Sequence, residues 1–389
     1  MQLTPYTQGI IDKVVQHFKS GDPITLVSMY DTGLDFWYAA TVENIKKTPS
    51  PFTPVFLDLS ATSDSAQQLF ELKSSLAEAT HQDFSASSNH SELLTQLLDL
   101  TQQQQLAFVI YMGYQSILFD QSLMRLFSQL RHHSRFSCTY VTLTNVRFML
   151  PILTQPANDQ NYYFQQVTGV IVPLVPENLE SSLALTKIQA ARYSIDFTDQ
   201  QKQAVYEFSG GLSGLNKTLS LQILDNPNWQ EPNLDDPRLE TQILGILNDL
   251  PTRYLTELFS DQPNRDSHEV KFLVKFGYLT SAEQAKPFTP LLKSYFPKIK
   301  SRPDQIATQS QVLILTASQR VLLSLFKSRL GEIISRDLIA ETIWGEAWEV
   351  KYSDWAIDQQ ISTLRDKLEL IEPTSKIVTK KGEGYVFLT

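Results

Sequence analysis

Ile357-Asp358-Gln359-Gln360-Ile361-Ser362-Thr363-Leu364-Arg365-Asp366-Lys367-Leu368, followed by Lys376-Ile377-Val378-Thr379 and Gly384-Tyr385-Val386-Phe387-Leu388, is the stretch that decides how this chain is read. Ile357, Ile361, Leu364 and Leu368 recur at helical spacing and form one apolar stripe. Gln359, Gln360, Ser362, Thr363, Asp366 and Lys367 fall on the other face. The two later runs are rich in β-formers and are joined by Lys380-Lys381-Gly382-Glu383, a hairpin whose tip carries two lysines. Working outward, the helix begins near Ser353-Asp354. Before it, Ser335 is placed to cap a helix that runs through Ile339 and Ile343 to Trp344-Gly345, with Asp337 near the positive end of the helix dipole. Earlier still, Val321, Leu322, Leu325 and Leu330 make a further amphipathic helix that opens at Leu315-Thr316 and stops at Gly331.

Three helices and a basic hairpin in this order read as a winged helix-turn-helix, with the third helix as candidate recognition helix. Leu315-Thr316, Gly331, Ser335-Arg336-Asp337-Leu338, Trp344-Gly345, Ile357-Asp358, Ile361, Leu364-Arg365, Lys367-Leu368, Ile377, Thr379, Gly382 and Gly384-Tyr385 together resemble the OmpR-type winged-helix DNA-binding domain, over about a fifth of the chain. The resemblance implies a third helix in the major groove of duplex DNA and a wing at the adjacent minor groove. It places Arg365, Lys367, Lys380 and Lys381 where phosphate or base edges would be met, with Thr379, Ser362, Thr363, Gln359 and Trp355 as further candidate contacts. The chain departs from the family where Trp355 replaces a usual arginine and where Ser362 and Thr363 replace basic residues of the recognition helix.

Charge bounds the strength of such binding. The whole chain carries −9; residues 311–389 contribute −1 from ten Lys/Arg and eleven Asp/Glu, leaving −8 for residues 1–310. Phosphate neutralisation supplies most non-specific affinity, so one copy is expected to bind DNA weakly, and self-association would raise it through avidity. A basic run, Lys293, Lys298, Lys300 and Arg302, leads into the terminal domain. Length allows two to four domains. No apolar run approaches bilayer length and Met1-Gln2-Leu3-Thr4-Pro5 lacks the regions of a signal peptide, so a cytoplasmic location without membrane partners is expected. Cys138 is the single cysteine, which excludes an intrachain disulfide and a cysteine-rich zinc site, and the six histidines lack ligand spacing. No metal or other cofactor is expected.

The first part of the chain reads as α/β. Apolar runs at Ile24–Met29, Pro54–Leu59, Leu106–Tyr111, Cys138–Leu143 and Gly169–Leu174 are separated by helix-length segments and do not alternate in polarity. Strands of that kind belong to a parallel sheet covered on both faces. The polar run Thr80–Ser91 reads as an exposed loop.

A helix at Gln8–Phe18, then strand, loop, helix and further strands, then a helical segment at Asn178–Leu224, resembles the P-loop ATPases of the AAA+ and STAND type; Phe197-Thr198 caps a helix leading to Phe208-Ser209-Gly210-Gly211-Leu212, similar to the turn of their lids. A working P-loop needs G-x-x-x-x-G-K-[ST], because backbone N–H groups cradle phosphate, lysine neutralises it and a hydroxyl holds Mg²⁺. In Ser28-Met29-Tyr30-Asp31-Thr32-Gly33-Leu34-Asp35 only Gly33 remains; Leu34 stands at the lysine and Asp35 at the hydroxyl position. The third strand ends Tyr111-Met112-Gly113-Tyr114, without the paired acids that bind metal and activate water. Gly33, Leu34, Asp35 and Tyr111 thus mark a degenerate nucleotide site and a catalytically dead scaffold. Asn145 falls at the polar sensor position and reads equally as a turn asparagine; Asp58 reads as a strand-end residue.

Turn-forming Asp225-Asn226-Pro227-Asn228 and Asp235-Asp236-Pro237 introduce a third unit, in which Val270–Leu279 and Phe288-Thr289-Pro290-Leu291-Leu292 resemble the winged helix that follows such lids. The expected organisation is an ATPase-like core at 1–175, a lid at 176–234, a middle winged helix at 235–297, a basic linker at 298–311 and the OmpR-type domain at 312–389. The expected function is a non-catalytic, DNA-binding regulator or adaptor with protein partners or self-association. Two alternatives stand beside it: a protein-interaction subunit of a defence or mobile-element complex that docks through its winged helices, and a nucleotide-dependent switch. A phosphoacceptor receiver domain is not recognisable.

Overall fold

Five strands of the first unit, β1 (Ile24–Ser28), β2 (Phe52–Asp58), β3 (Gln105–Tyr111), β4 (Cys138–Asn145) and β5 (Val170–Leu174), pair all in parallel in the computed structural model, in the order β2-β3-β4-β1-β5. The structure describes residues 3–30, 32–60, 65–112, 121–134, 137–146, 149–150, 168–281, 283–300 and 317–344, and in the last part of the chain 357–358, 361, 364–365, 368, 375–380 and 383–388. The chain divides into two compact units, Met1–Pro297 and Lys298–Thr389.

In the first unit, β1 to β5 lie within a few residues of the five apolar runs. Every residue of β1 and β4 is buried, the pattern of strands covered on both faces. The helix α1 (Pro5–Ser20) begins at an N-cap, Thr4, whose side chain accepts from Thr7 N–H, and buries Ile11, Val14 and Phe18 against the sheet core. The helix α2 (Leu34–Lys46) adds Leu34, Trp37, Ala40 and Ile45 to the same core. Each such fully buried apolar side chain contributes about 1.5–3 kcal/mol relative to exposure. Between α3 (Ser65–Thr80) and α4 (His90–Thr101) the polar loop is only partly exposed: Phe84 and Ser87 are buried, so one aromatic anchors a segment whose composition reads as solvent-facing.

Three helices follow β5, at Leu179–Arg192, Asp199–Ser209 and Ser213–Asp225. The second starts in a reciprocal capping box between Thr198 and Gln201 and stops at Gly210 in the left-handed region. Buried Asn216 joins the third to the first through Ser182 and Thr186. Helices Pro237–Asn248, Thr252–Leu258 and His268–Lys275 come next, with an isolated antiparallel bridge between Leu279 and Pro287. The helix Leu291–Lys300 enters the first residues of the expected linker; residues 301–311 of that linker lie outside the described residues.

In the second unit, Ala317–Ser328 and Arg336–Trp344 are helical, as are all described residues between 357 and 368. The hairpin strands β7 (Lys376–Lys380) and β8 (Gly384–Leu388) pair antiparallel, and a two-residue strand β6 (Ile333–Ile334) adds a third strand beside β8. Ile357, Ile361, Leu364 and Leu368 are buried with Leu322, Phe326, Ile339, Ile377, Tyr385 and Phe387 in one core. Leu330 corrects the expected stripe. It is 55% exposed, because the helix ends at Ser328 and the chain turns before reaching it. The fold class is therefore a parallel α/β sheet with helices, followed by a terminal winged helix.

Candidate nucleic-acid interface

The second unit is held in shape by a polar network at its helix–wing junction. Arg365 lies on the helix that contributes the buried stripe; its Nε donates to the Ile377 carbonyl at 2.8 Å and an Nη to Thr379 Oγ1 at 2.7 Å. One fork thus spans two alternate residues of β7. Seven residues before it, Asp358 accepts from Arg336 at 2.7 Å and from the Tyr385 hydroxyl on β8. The Arg336 and Arg365 guanidinium groups lie 5.1 and 5.9 Å from the centre of the Tyr385 ring. Burial pushes the Tyr385 phenol up to about 12; its bond to Asp358 and that carboxylate's charge add to the shift, and the two arginines oppose it. Ser335 Oγ accepts from Leu338 N–H at 3.2 Å, the N-cap role read from the sequence. Gly384 sits at φ 142, and a Cβ there would approach the Ile334 carbonyl oxygen to 2.1 Å, so the root of the wing requires glycine.

Of the nine residues expected at a DNA surface, the structure places Arg365, Thr379 and Lys380. Thr379 and Lys380 are exposed on β7, whereas Arg365 is half-buried and bonded to the wing. Trp355, Gln359, Ser362, Thr363, Lys367 and Lys381 lie outside the described residues. Arg336, Asp358 and Tyr385 were visible only as motif residues; their convergence on one junction was not.

The loop read in the sequence as a degenerate nucleotide site lies at the C-terminal end of β1, which is flanked by β4 and β5, in the part of α/β sheets that usually binds ligands. Leu34 is 1% exposed and belongs to the core. Gly33 caps α2 at φ 72. In that helix's first turn, Asp35 accepts from the hydroxyl of Tyr111 at the end of β3, and Tyr38 stacks on Tyr111 with ring centres 4.8 Å apart. The Tyr30 N–H donates to Asp249 Oδ2 at 2.6 Å, and Asp249, buried, also accepts from the Tyr278 hydroxyl at 3.4 Å. A Cβ on Gly245 would come within 2.3 Å of the Tyr30 ring, so Gly245 is the close-approach position that lets helix Pro237–Asn248 seat on this loop. A carboxylate of the chain itself therefore takes a backbone N–H of the loop.

Beside Tyr30 is a cleft of 530 Å³ lined by Lys217, Thr218, Arg238 and Gln242 among others. Its Arg238 is engaged by Asp225 and Asp236, each at 2.7 Å, and Arg238 pulls Asp236 down to about 2. Asn145 is buried at the end of β4, in register with Ser28. Asp58 accepts from Ser60 N–H and hydroxyl, an ordinary strand-end turn. Among the described residues, no group of three His, Cys, Asp or Glu side chains comes together that could hold a metal ion, and no helix is long and apolar enough to cross a membrane.

Residues 310–387 match the family described as "Transcriptional regulatory protein, C terminal", so the second unit is a winged-helix domain of the OmpR type. The chain is 28% identical over 136 residues to a probable transcriptional regulator, ycf27, of Porphyridium aerugineum, covering 34% of this chain and 55% of that protein. It is 31% identical over 83 residues to the response regulator GraR of Staphylococcus aureus strain Newman, covering 21% and 36%. The chain thus spans from about a third to just over half the length of these curated relatives. Among solved structures it is similar to a Walker-type ATPase of Pyrococcus abyssi, at 12% identity and a TM-score of 0.43 over 97% of this chain and 92% of that one.

Proposed function

We propose that this protein is a DNA-binding regulator whose terminal winged helix contacts duplex DNA through the helix spanning 357–368 and the lysine-tipped hairpin, and whose first unit is a scaffold that does not hydrolyse nucleotide. The observation that carries the DNA reading is the match of residues 310–387 to a transcriptional-regulator domain, together with the burial of Ile357, Ile361, Leu364 and Leu368 in one core. With a net charge of −1 on residues 311–389, affinity is expected to be low for one copy and to fall with salt in proportion to the number of phosphates neutralised. Titration of labelled random-sequence duplex between 50 and 200 mM salt tests this. A linear fall of log K with log salt is expected, and no binding at low salt would overturn the reading.

The scaffold reading rests on Leu34 in the core, on Asp35 held by Tyr111 and on Asp249 at the Tyr30 N–H. Two carboxylates at the loop would repel a triphosphate. Calorimetry with ATP and magnesium is expected to give no heat of binding and no phosphate release. Because the domain carries no net positive charge, docking on a protein partner through the winged helix is the second reading. Copurification of a stoichiometric partner, with no DNA binding at any salt, would favour it.

A further inference from the structure

Arg365 is the one described basic residue on the candidate recognition helix, and the resemblance to DNA-binding domains puts it where phosphate or base edges would be met. Its hydrogen bonds point elsewhere. Two of its N–H groups are directed at β7, to the Ile377 carbonyl and the Thr379 hydroxyl, and the guanidinium lies over the Tyr385 ring of β8. On the same helix, Asp358 is two turns earlier and therefore close to the same face. It is tied to β8 by the Tyr385 hydroxyl and to the start of helix Arg336–Trp344 by Arg336.

We propose that Arg365 is a positioning residue: with Asp358, Tyr385 and Arg336 it sets the angle and distance between the recognition helix and the wing, and it acts on DNA affinity through that geometry instead of through a phosphate. The inference rests on the DNA-binding reading above. A domain that reaches one groove with a helix and the next with a hairpin binds only when both elements are in register with the duplex. Two anchor points, two turns apart on one helix, restrain both its rotation and its tilt toward the strands. The apolar stripe alone restrains these less, since Ile361, Leu364 and Leu368 form non-directional contacts. The fork matters more than the charge. A lysine in its place has the charge but lacks the planar pair of donors needed to span Ile377 and Thr379.

The test uses the full chain with Arg365→Lys, Arg365→Ala, Thr379→Val and the Arg365→Ala/Thr379→Val double variant, binding duplex at several salt concentrations. Arg365→Lys and Arg365→Ala are expected to weaken binding alike, about tenfold, with the slope of log K against log salt unchanged. The double variant is expected to be no weaker than Arg365→Ala, since both remove the same tie. Wild-type affinity in Arg365→Lys, or a slope lowered by about 0.9 in Arg365→Ala, would make Arg365 a phosphate contact and overturn the proposal. Hydrogen–deuterium exchange of the free protein gives a readout that does not need DNA. Arg365→Lys is expected to speed exchange in peptides covering 376–388 while leaving β1 to β5 unchanged, and unchanged exchange in the hairpin would sink the proposal on its own. Absence of DNA binding by the wild-type chain would instead count against the DNA reading, and the exchange result would still decide whether the tie exists.

Discussion

The loop after β1 and the helix–wing junction both look like ligand-facing motifs, and both direct named polar groups inward, but with opposite consequences. In the first, Asp249 takes the Tyr30 N–H and Asp35 takes the Tyr111 hydroxyl, so these donors of the loop region are already satisfied by carboxylates of the chain. In the second, Asp358 and Arg365 tie a helix to its hairpin, and the ties support the shape that a duplex would meet. The difference lies in where the internal partner sits. A partner at the ligand position closes a site, whereas a partner behind the binding element braces it.

This contrast can be broken or sharpened in four ways, taken from the largest expected effect. Ile361→Ala removes a fully buried stripe residue and should destabilise the terminal domain by about 2–5 kcal/mol. Because each unit has its own core, differential scanning calorimetry is expected to show the loss in one transition and DNA binding to fall with it; an equal shift of the whole protein would show that the cores unfold together. Leu34→Lys, which puts a lysine at the position where a P-loop carries one, places an ammonium in the sheet core and should cost roughly 3 kcal/mol. It should create no ATPase activity, and phosphate release by this variant would show that the scaffold is one residue from an enzyme.

A third effect concerns pH. Burial raises the Glu177 carboxyl from its ordinary 4.5 to about 7, against a lowering contribution from a hydrogen bond with Thr4. Glu177 N–H donates to the Gly211 carbonyl at 2.9 Å, which ties the link after β5 to the turn between two lid-like helices. A carboxyl whose folded value is raised gives stability that is fully present below about 4.5 and lost as pH climbs to about 7, on the order of 2–3 kcal/mol. Urea unfolding at pH 5 and pH 7.5 should show this slope in the wild type and a flatter one in Glu177→Gln. Equal slopes would place the pH dependence elsewhere. The smallest effect is expected at the wing: Lys381→Ala should weaken DNA binding a few-fold and lower the salt slope by about 0.9. An unchanged slope would remove Lys381 from the interface.

Much of the architecture was legible because it is written in local periodicity. The five strands show as mainly apolar runs without strict alternation, and the stripe of Ile357, Ile361, Leu364 and Leu368 shows as a 3.6-residue repeat. The cap at Ser335 and the capping box at Thr198 follow from residue type and spacing within one helical turn. What was missed is either very short or very distant. The strand β6 has two residues, too few to carry a pattern, and Leu330 continues a helical repeat past the point where the helix has ended. Phe84 anchors a loop whose other residues are polar, and single anchors have no period.

Residue identity alone determined that Leu34 and Asp35 stand where a P-loop would carry its lysine and hydroxyl, and that the last part of the chain combines helices with a basic hairpin. Only the folded chain decided that Asp249, 219 residues from Tyr30, takes its N–H, that Tyr111 reaches Asp35 across 76 residues, and that Arg365 turns to the wing. The physical reason is range. Helix and strand periods arise from contacts a few residues apart, while a hydrogen bond between distant segments exists only once the sheet and helices have fixed where those segments meet.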